Sequence, residues 1–166
     1  MQELPRTLKI LTVYGLIIVV LFLGMQWWQA EQRKPRFITD GAGQTQIVLP
    51  RDRSGHYFWQ GQINGKEVEF LVDTGATQTS ISKSLADELG LTEQSSAQFN
   101  TANGTVRAGI AQTTITLEGG LRFERQRIAV MPQMERVGLL GMDVLGRLKL
   151  EQQGKELRIT VPTASR

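Results

Sequence analysis

Apolar and polar positions follow three different patterns along this chain. From Ile10 to Met25 the run ILTVYGLIIVVLFLGM holds no charged residue, and Gln26, Trp27 and Trp28 extend it to roughly the 20 residues that cross a bilayer as a helix. Paired tryptophans at one end suit the membrane interface. The pattern predicts a membrane anchor over residues 1–28, a short tail followed by a transmembrane helix at 10–28. A cleaved signal peptide is the weaker reading, because bulky tryptophans stand where a cleavage site wants small residues. From Gln29 to Arg53 the chain is polar and interrupted by Pro35, Gly41, Gly43 and Pro50. With neither alternation nor helical period, 29–53 reads as a linker. Residues 54–162 carry the third pattern, short alternating runs bounded by turn residues.

In that last region HYFWQGQINGKEVEFLVD reads as two strands around Asn64-Gly65, a strong hairpin signal. Val68, Phe70 and Val72 fall on one face of the second strand, and Glu67 and Glu69 on the other. SISKSLADELGL predicts a short helix, opened by Ser84-Leu85-Ala86-Asp87 as a capping box and stopped by Gly90. A second hairpin centres on Asn103-Gly104. Gly119-Gly120 then turns the chain into LRFERQRIAVM, whose Arg122, Arg125 and Arg127 read as the solvated face of a strand. The closing stretch VGLLGMDVLGRLKLEQQGKELRITV combines an apolar run, a short helical piece for Asp143 to cap, and a last strand with Leu157, Ile159 and Val161 in phase. Met131, Met134 and Met142 read as core fillers. Many short strands with closely spaced turns predict a small all-β barrel or sandwich-like domain.

Charge and composition then remove whole classes of function. The chain has 19 Lys and Arg against 16 Asp and Glu, a formal net charge of +3. Five of those cations and two of those anions lie within residues 1–39, which leaves 14 of each for the rest. A neutral domain lacks the basic face that nucleic-acid binding requires, so no nucleic-acid partner is expected. There is no cysteine and a single histidine, His56, which excludes disulfides, thiolate nucleophiles and Cys-His zinc sites and leaves little scope for histidine triads. No metal and no cofactor are expected. Any hydrolysis here must run on carboxylates.

One carboxylate stands out. Asp73 follows the apolar strand EFLV and is itself followed by Thr74, Gly75 and Ala76. Asp-Thr-Gly is also ordinary turn chemistry, since Asp and Thr bond nearby backbone and Gly admits unusual dihedrals. The surrounding order of motifs changes the balance: FLVDTGAT, then TANGTV about thirty residues later, then GLLGMDVL near the end of the domain. With these three in sequence, residues 56–161 resemble the retropepsin-like aspartic proteases. The likeness is greatest to the bacterial membrane-anchored branch that carries Asp-Thr-Gly-Ala.

The resemblance implies a retropepsin-like acid protease barrel with a short helix, one protomer supplying half of a pepsin-like site. Asp73 is then the catalytic residue, Thr74, Gly75 and Ala76 support its loop, and Asn103 and Gly104 form the tip of a substrate-binding flap. GLLGMDVL braces the catalytic loop. Asp52, Asp87 and Asp143 lack a Thr/Ser-Gly sequel, so the second carboxylate must come from a second copy, in a two-fold homodimer. The expected function is a membrane-anchored aspartic endopeptidase acting on peptide or protein substrates. Its expected place is the inner membrane, crossed once, with the C-terminal domain in the periplasm. That orientation rests on the short amino-terminal tail, because Arg6 and Lys9 before the span nearly balance Arg33, Lys34 and Arg36 after it. The alternative is a non-catalytic peptide-binding domain of the same fold in the cell envelope.

Overall fold

In the computed structural model, which describes residues 6–32, 35–39, 45–101, 104–134 and 136–160, the first apolar run is one helix, α1 (Arg6–Gln32). At about 1.5 Å per residue it is about 40 Å long, more than the roughly 30 Å of a hydrocarbon core. Its window Ile10–Trp27 has a mean hydropathy of 2.2, long and apolar enough to cross a membrane by length and composition. Between Ile10 and Met25 the helix is uncharged and apolar around its circumference, with no polar face to turn toward water.

Pro35–Arg166 form a separate unit. Its strands are β1 (Arg36–Thr39), β2 (Thr45–Pro50), β3 (Phe58–Ile63), β4 (Lys66–Val72), β5 (Ser80–Ser82), β6 (Glu93–Thr101), β7 (Gly104–Leu117), β8 (Leu121–Met131), β9 (Gly138–Leu140), β10 (Lys149–Gln153) and β11 (Glu156–Thr160). Two short helices, α2 (Lys83–Glu88) and α3 (Met142–Leu145), complete it. One sheet runs β3-β4-β9-β5-β8-β7-β6, and Gly61–Ile63 of β3 pair with Ile115–Leu117 of β7 to close a barrel. A four-stranded antiparallel sheet, β1-β2-β11-β10, lies beside it. The all-β expectation holds.

The turns follow the chemistry of their residues. Asn64 and Gly65 both have positive φ, 51° and 80°, the requirement of the two-residue hairpin between β3 and β4. Leu85 and Leu89 of the α2 region are buried, and Gly90 at φ 69° ends the helix. The start of α2 corrects the sequence reading: Ser82, not Ser84, is the N-cap, accepting a hydrogen bond from the Leu85 backbone N–H at 3.2 Å. Ser84 instead shares a hydrogen bond with the Ser82 hydroxyl.

Trp59, Ile63, Phe70, Ile81, Ile115, Leu117, Ile128, Leu140 and Leu145 form the centre of the barrel core. Trp59 is fully buried, and its indole N–H donates to the Glu118 carbonyl at 3.0 Å. Phe123 and Ile128, five positions apart, are both buried, which a regular two-residue alternation forbids. A bulge supplies the missing step: Thr113 pairs with Gln126 and Ile115 with Phe123, so Glu124 and Arg125 together oppose Thr114. Arg125 there takes φ 52°, a left-handed conformation that costs a non-glycine residue about 1–2 kcal/mol. Met142 departs from its expected core role, being 41% exposed.

The stretch 29–53 does not match the expected linker. Helix α1 continues to Gln32, and β1 and β2 are strands of the second sheet. Ile47, Val48 and Leu49 are all buried, with Ile47 and Leu49 in the same core cluster as Leu157 and Ile159 of β11. A strand covered on both sides needs no polar alternation, so a three-residue apolar run gave no periodic signal. Val161, expected in phase with Leu157 and Ile159, lies outside the described residues. Leu49→Ala is expected to destabilise the domain by about 2–4 kcal/mol, a core penalty, where a linker substitution costs almost nothing. Urea unfolding of the two proteins measures the difference.

Candidate active site

The position of Asp73 is set by an unusual strand arrangement. Strand β9 pairs parallel with β4, Phe70 opposite Gly138, Leu71 opposite Leu139 and Val72 opposite Leu140. On its other side β9 meets β5 antiparallel, Leu139 opposite Ser80. The chain leaving β4 and the chain entering β5 are therefore both held against 138–141, and the loop 73–79 is closed at its two ends. The Asp73 N–H continues the ladder by donating to the Leu140 carbonyl at 3.1 Å.

Inside the loop the backbone folds back on itself. The Ala76 N–H donates to the Asp73 carbonyl at 3.3 Å, and the Met142 N–H donates to the Ala76 carbonyl at 2.8 Å. The Gly75 N–H donates to Asp73 Oδ1 at 2.8 Å, which fixes the direction of the carboxylate. A Cβ at Gly75 would stand 3.2 Å from that same oxygen, so the absence of a side chain keeps the carboxylate uncrowded. Asp73 and Ala76 are half-buried, while Thr74 and Gly75 are exposed. One carboxylate oxygen is thus held by the backbone in a group that solvent and ligand can still reach.

Beneath the loop lies a polar network that the sequence reading missed. Thr79 is fully buried, and its N–H and Oγ1–H both donate to Asp143 Oδ1, at 2.9 and 2.8 Å. Its Oγ1 also accepts from the Gly141 N–H at 3.1 Å. The second Asp143 oxygen accepts from Gln126 Nε2 at 2.7 Å, and Gln126 Oε1 accepts from Arg147 at 3.3 Å. Asp143 consequently does not cap α3, as its place in the first turn suggested. The N-cap is Gly141, without a side-chain bond. Three donors on one carboxylate, each contributing on the order of 1.5–3 kcal/mol when the partner is charged, outweigh a single cap bond. A signal was available: Gln126 is in phase with Ile128 and Val130 on the buried face of β8, and a buried amide demands a partner.

Gly141 lets the two segments touch. A Cβ on it would come within 2.5 Å of the Gln78 carbonyl carbon and 2.8 Å of the Thr79 nitrogen, both backbone atoms that cannot step aside. The flap residues are placed less completely. Gly104 opens β7 at φ 107°, and its carbonyl accepts from the Thr101 hydroxyl at 2.8 Å, whereas Asn103 lies outside the described residues. Among the described residues no group of three His, Cys, Asp or Glu stands ready to hold a metal ion.

Two substitutions test the brace. Gly141→Ala is expected to cost about 1–3 kcal/mol by overpacking, and Thr79→Val a similar amount by leaving Asp143 and the Gly141 N–H short of partners. Both should raise the hydrogen-exchange rate of the Ala76 and Met142 amides beyond that of amides in β7. Unchanged exchange at those two amides would show that the network does not hold the loop.

Comparison with known proteins meets this geometry from another direction. Residues 59–147, more than half of the chain, match the family model described as "gag-polyprotein putative aspartyl protease". An uncharacterized protein from the cobV 5′ region of Sinorhizobium sp is 30% identical over 129 residues, 74% of this chain and 54% of that protein. An uncharacterized protein of Rickettsia prowazekii (strain Madrid E) is 29% identical over 118 residues, 69% of this chain and 50% of that one. The chain thus spans about half the length of the curated relatives it matches. The fold is similar to the crystal structure of a retropepsin-like aspartic protease from Rickettsia conorii, with a TM-score of 0.60 and 24% identity, covering 77% of this chain and 96% of that one. An Asp-Thr-Gly-Ala loop at the end of a barrel strand, braced by the GLLGMD segment and matched by both family and fold, makes this chain a member of the retropepsin-like aspartic protease family.

Proposed function

We propose that the protein is an aspartic endopeptidase in which Asp73 of two identical chains hold the attacking water between them. The observation that carries this reading is the Asp73 carboxylate itself, half-buried at the end of a barrel strand, aimed by the Gly75 N–H and reachable from outside. Peptide hydrolysis needs one ionised carboxylate to take a proton from water and one protonated carboxylate to donate to the scissile carbonyl. Two carboxylates in contact share one proton, because neighbouring like charges cannot both form.

Among the described residues the domain's other aspartates have different work. Asp87 pairs with Lys83 one turn away, a hydrogen bond that holds the Lys83 ammonium pKa above its usual value. Asp52 accepts from the Ser54 N–H, and Asp143 is committed to Thr79 and Gln126. A second Asp73 from a symmetric partner therefore supplies the acid, with exposed Thr74 available for a contact between the two loops. Asn103 and Gly104 close over the substrate as the flap tip, and the substrate lies extended, bonded through its main chain. Helix α1 anchors the chain in the inner membrane with the protease domain in the periplasm. Confinement to a surface raises the effective concentration of protomers and so favours the dimer.

The test is cleavage of an unstructured protein by the full chain in detergent micelles, beside Asp73→Asn, over a range of protein concentrations. Activity in the mutant is expected to fall by about 100-fold or more. In the wild type it should rise faster than linearly with concentration until the dimer saturates. Equal activity in both proteins, or strict proportionality at concentrations where sedimentation shows monomer, would sink the reading. Peptide binding without turnover in the wild type would instead indicate a binding module.

A further inference from the structure

A cavity of about 470 Å³ opens beside the catalytic loop, lined by Thr77, Gln78, Arg125, Gln126, Arg127, Asp143 and Arg147. Thr77 is four residues beyond Asp73, so the chain itself limits their Cα separation to about 14 Å. Three arginines face one carboxylate there, and that carboxylate is already occupied by Thr79 and Gln126. Arg147 is held in place, bonded to Gln126 Oε1 with its guanidinium 5.7 Å from the centre of the Phe123 ring.

Arg125 and Arg127 are both exposed, and like Arg51, Arg53 and Arg107 they have no carboxylate partner among the described residues, but they alone of these line the cavity. Arg36, Arg122, Arg136 and Arg158 of the same domain each meet a glutamate. Among the described residues no carboxylate pairs with Arg125 or Arg127, although both line a cavity whose remaining uncharged walls are Thr77, Gln78 and Gln126. Arg125 also sits in the β8 bulge at positive φ, where glycine or asparagine is the unstrained choice. By ordinary strand alternation Arg125 and Arg127 both line the cavity while Gln126 between them turns inward to Asp143. Left-handed non-glycine residues of this kind concentrate at ligand sites.

We propose that this cavity is a subsite for an acidic side chain, glutamate or aspartate, of the extended peptide that lies across Asp73, with Arg125 and Arg127 as its specificity-determining residues. The inference rests on the peptide-binding reading of the Asp73 site and adds a substrate class to it. Guanidinium groups bind a carboxylate through paired N–H donors, which makes the contact directional as well as electrostatic. The bound side chain replaces the ion pair that these two arginines lack.

The experiment uses the full chain in detergent micelles with matched peptides that differ only by Glu or Gln at successive positions on either side of the cut bond. At one position Glu is expected to raise kcat/KM roughly fivefold or more, chiefly through KM, and less so at high salt. Arg127→Gln and Arg125→Gly should each bring the Glu-to-Gln ratio toward one. Arg125→Gly suits the positive φ and is expected to unfold at an equal or higher temperature, so loss of the preference cannot be put down to misfolding. Fluorescence anisotropy of the same peptides on the Asp73→Asn chain reads the preference without turnover. Preference retained there in a wild type that cuts nothing would support the subsite while overturning the protease. A ratio near one at every position, a ratio unmoved by both arginine substitutions, or competition by inorganic phosphate as strong as by the acidic peptide would overturn the subsite.

Discussion

The parallel docking of 138–140 against β4, continued through Gly141 and Asp143, is the contact on which the rest of the site depends. A carboxylate at the end of a strand has no defined position unless the chain after it is also fixed. Here the same short segment fixes both sides: Leu140 receives the Asp73 N–H, Met142 bonds Ala76, and Asp143 gathers Thr79. Gly141 is the hinge of this contact because only a missing side chain lets the backbones of 78–79 and 141 meet. The loop is consequently part of the barrel wall rather than a connection laid over it.

The brace and the cationic cavity share a residue, which ties loop position to surroundings. Gln126 donates to Asp143 on one side and accepts from Arg147 on the other. It can do so because the β8 bulge turns it inward, and the same bulge carries Arg125 at its strained φ. One irregularity in one strand thus rectifies the alternation between Phe123 and Ile128 and brings Gln126 into phase to bond the half-buried Asp143 carboxylate, with two exposed arginines beside it near the Asp73 loop. Strain of this sort persists only where the surrounding pairing over-determines it, and β8 is held by β7 along most of its length and by β5 at its end.

The chain belongs to an aspartic protease family and holds a single Asp-Thr-Gly. The barrel core, with Trp59, Phe70 and Leu140 fully buried, gives that loop a stable frame within one chain.

What the sequence determined by itself were features whose cause is local. Sixteen residues without charge specify a membrane-length helix, Asn64-Gly65 and Gly119-Gly120 specify turns through their positive φ, and Phe70 and Val68 in alternation specify the strand that ends at Asp73. The order FLVDTGAT, TANGTV and GLLGMDVL carried the family, and Gly75 and Gly141 within it stand where a side chain would crowd the loop. Only the tertiary structure decided the rest. Strand β2 is buried between its neighbour β1 and the distant β11, whose Leu157 and Ile159 share its core cluster, so three consecutive buried residues left no periodic mark. Asp143 lies in the first turn of a helix, a local context that favours capping, yet Thr79 and Gln126 reach it from 64 and 17 residues away and bond it instead. Arg125 and Arg127 are exposed, as their alternation suggested, but only the fold sets Thr77 and Gln78 beside them. In each case the deciding partner is distant in sequence, and nothing in the local pattern records which distant partner will arrive.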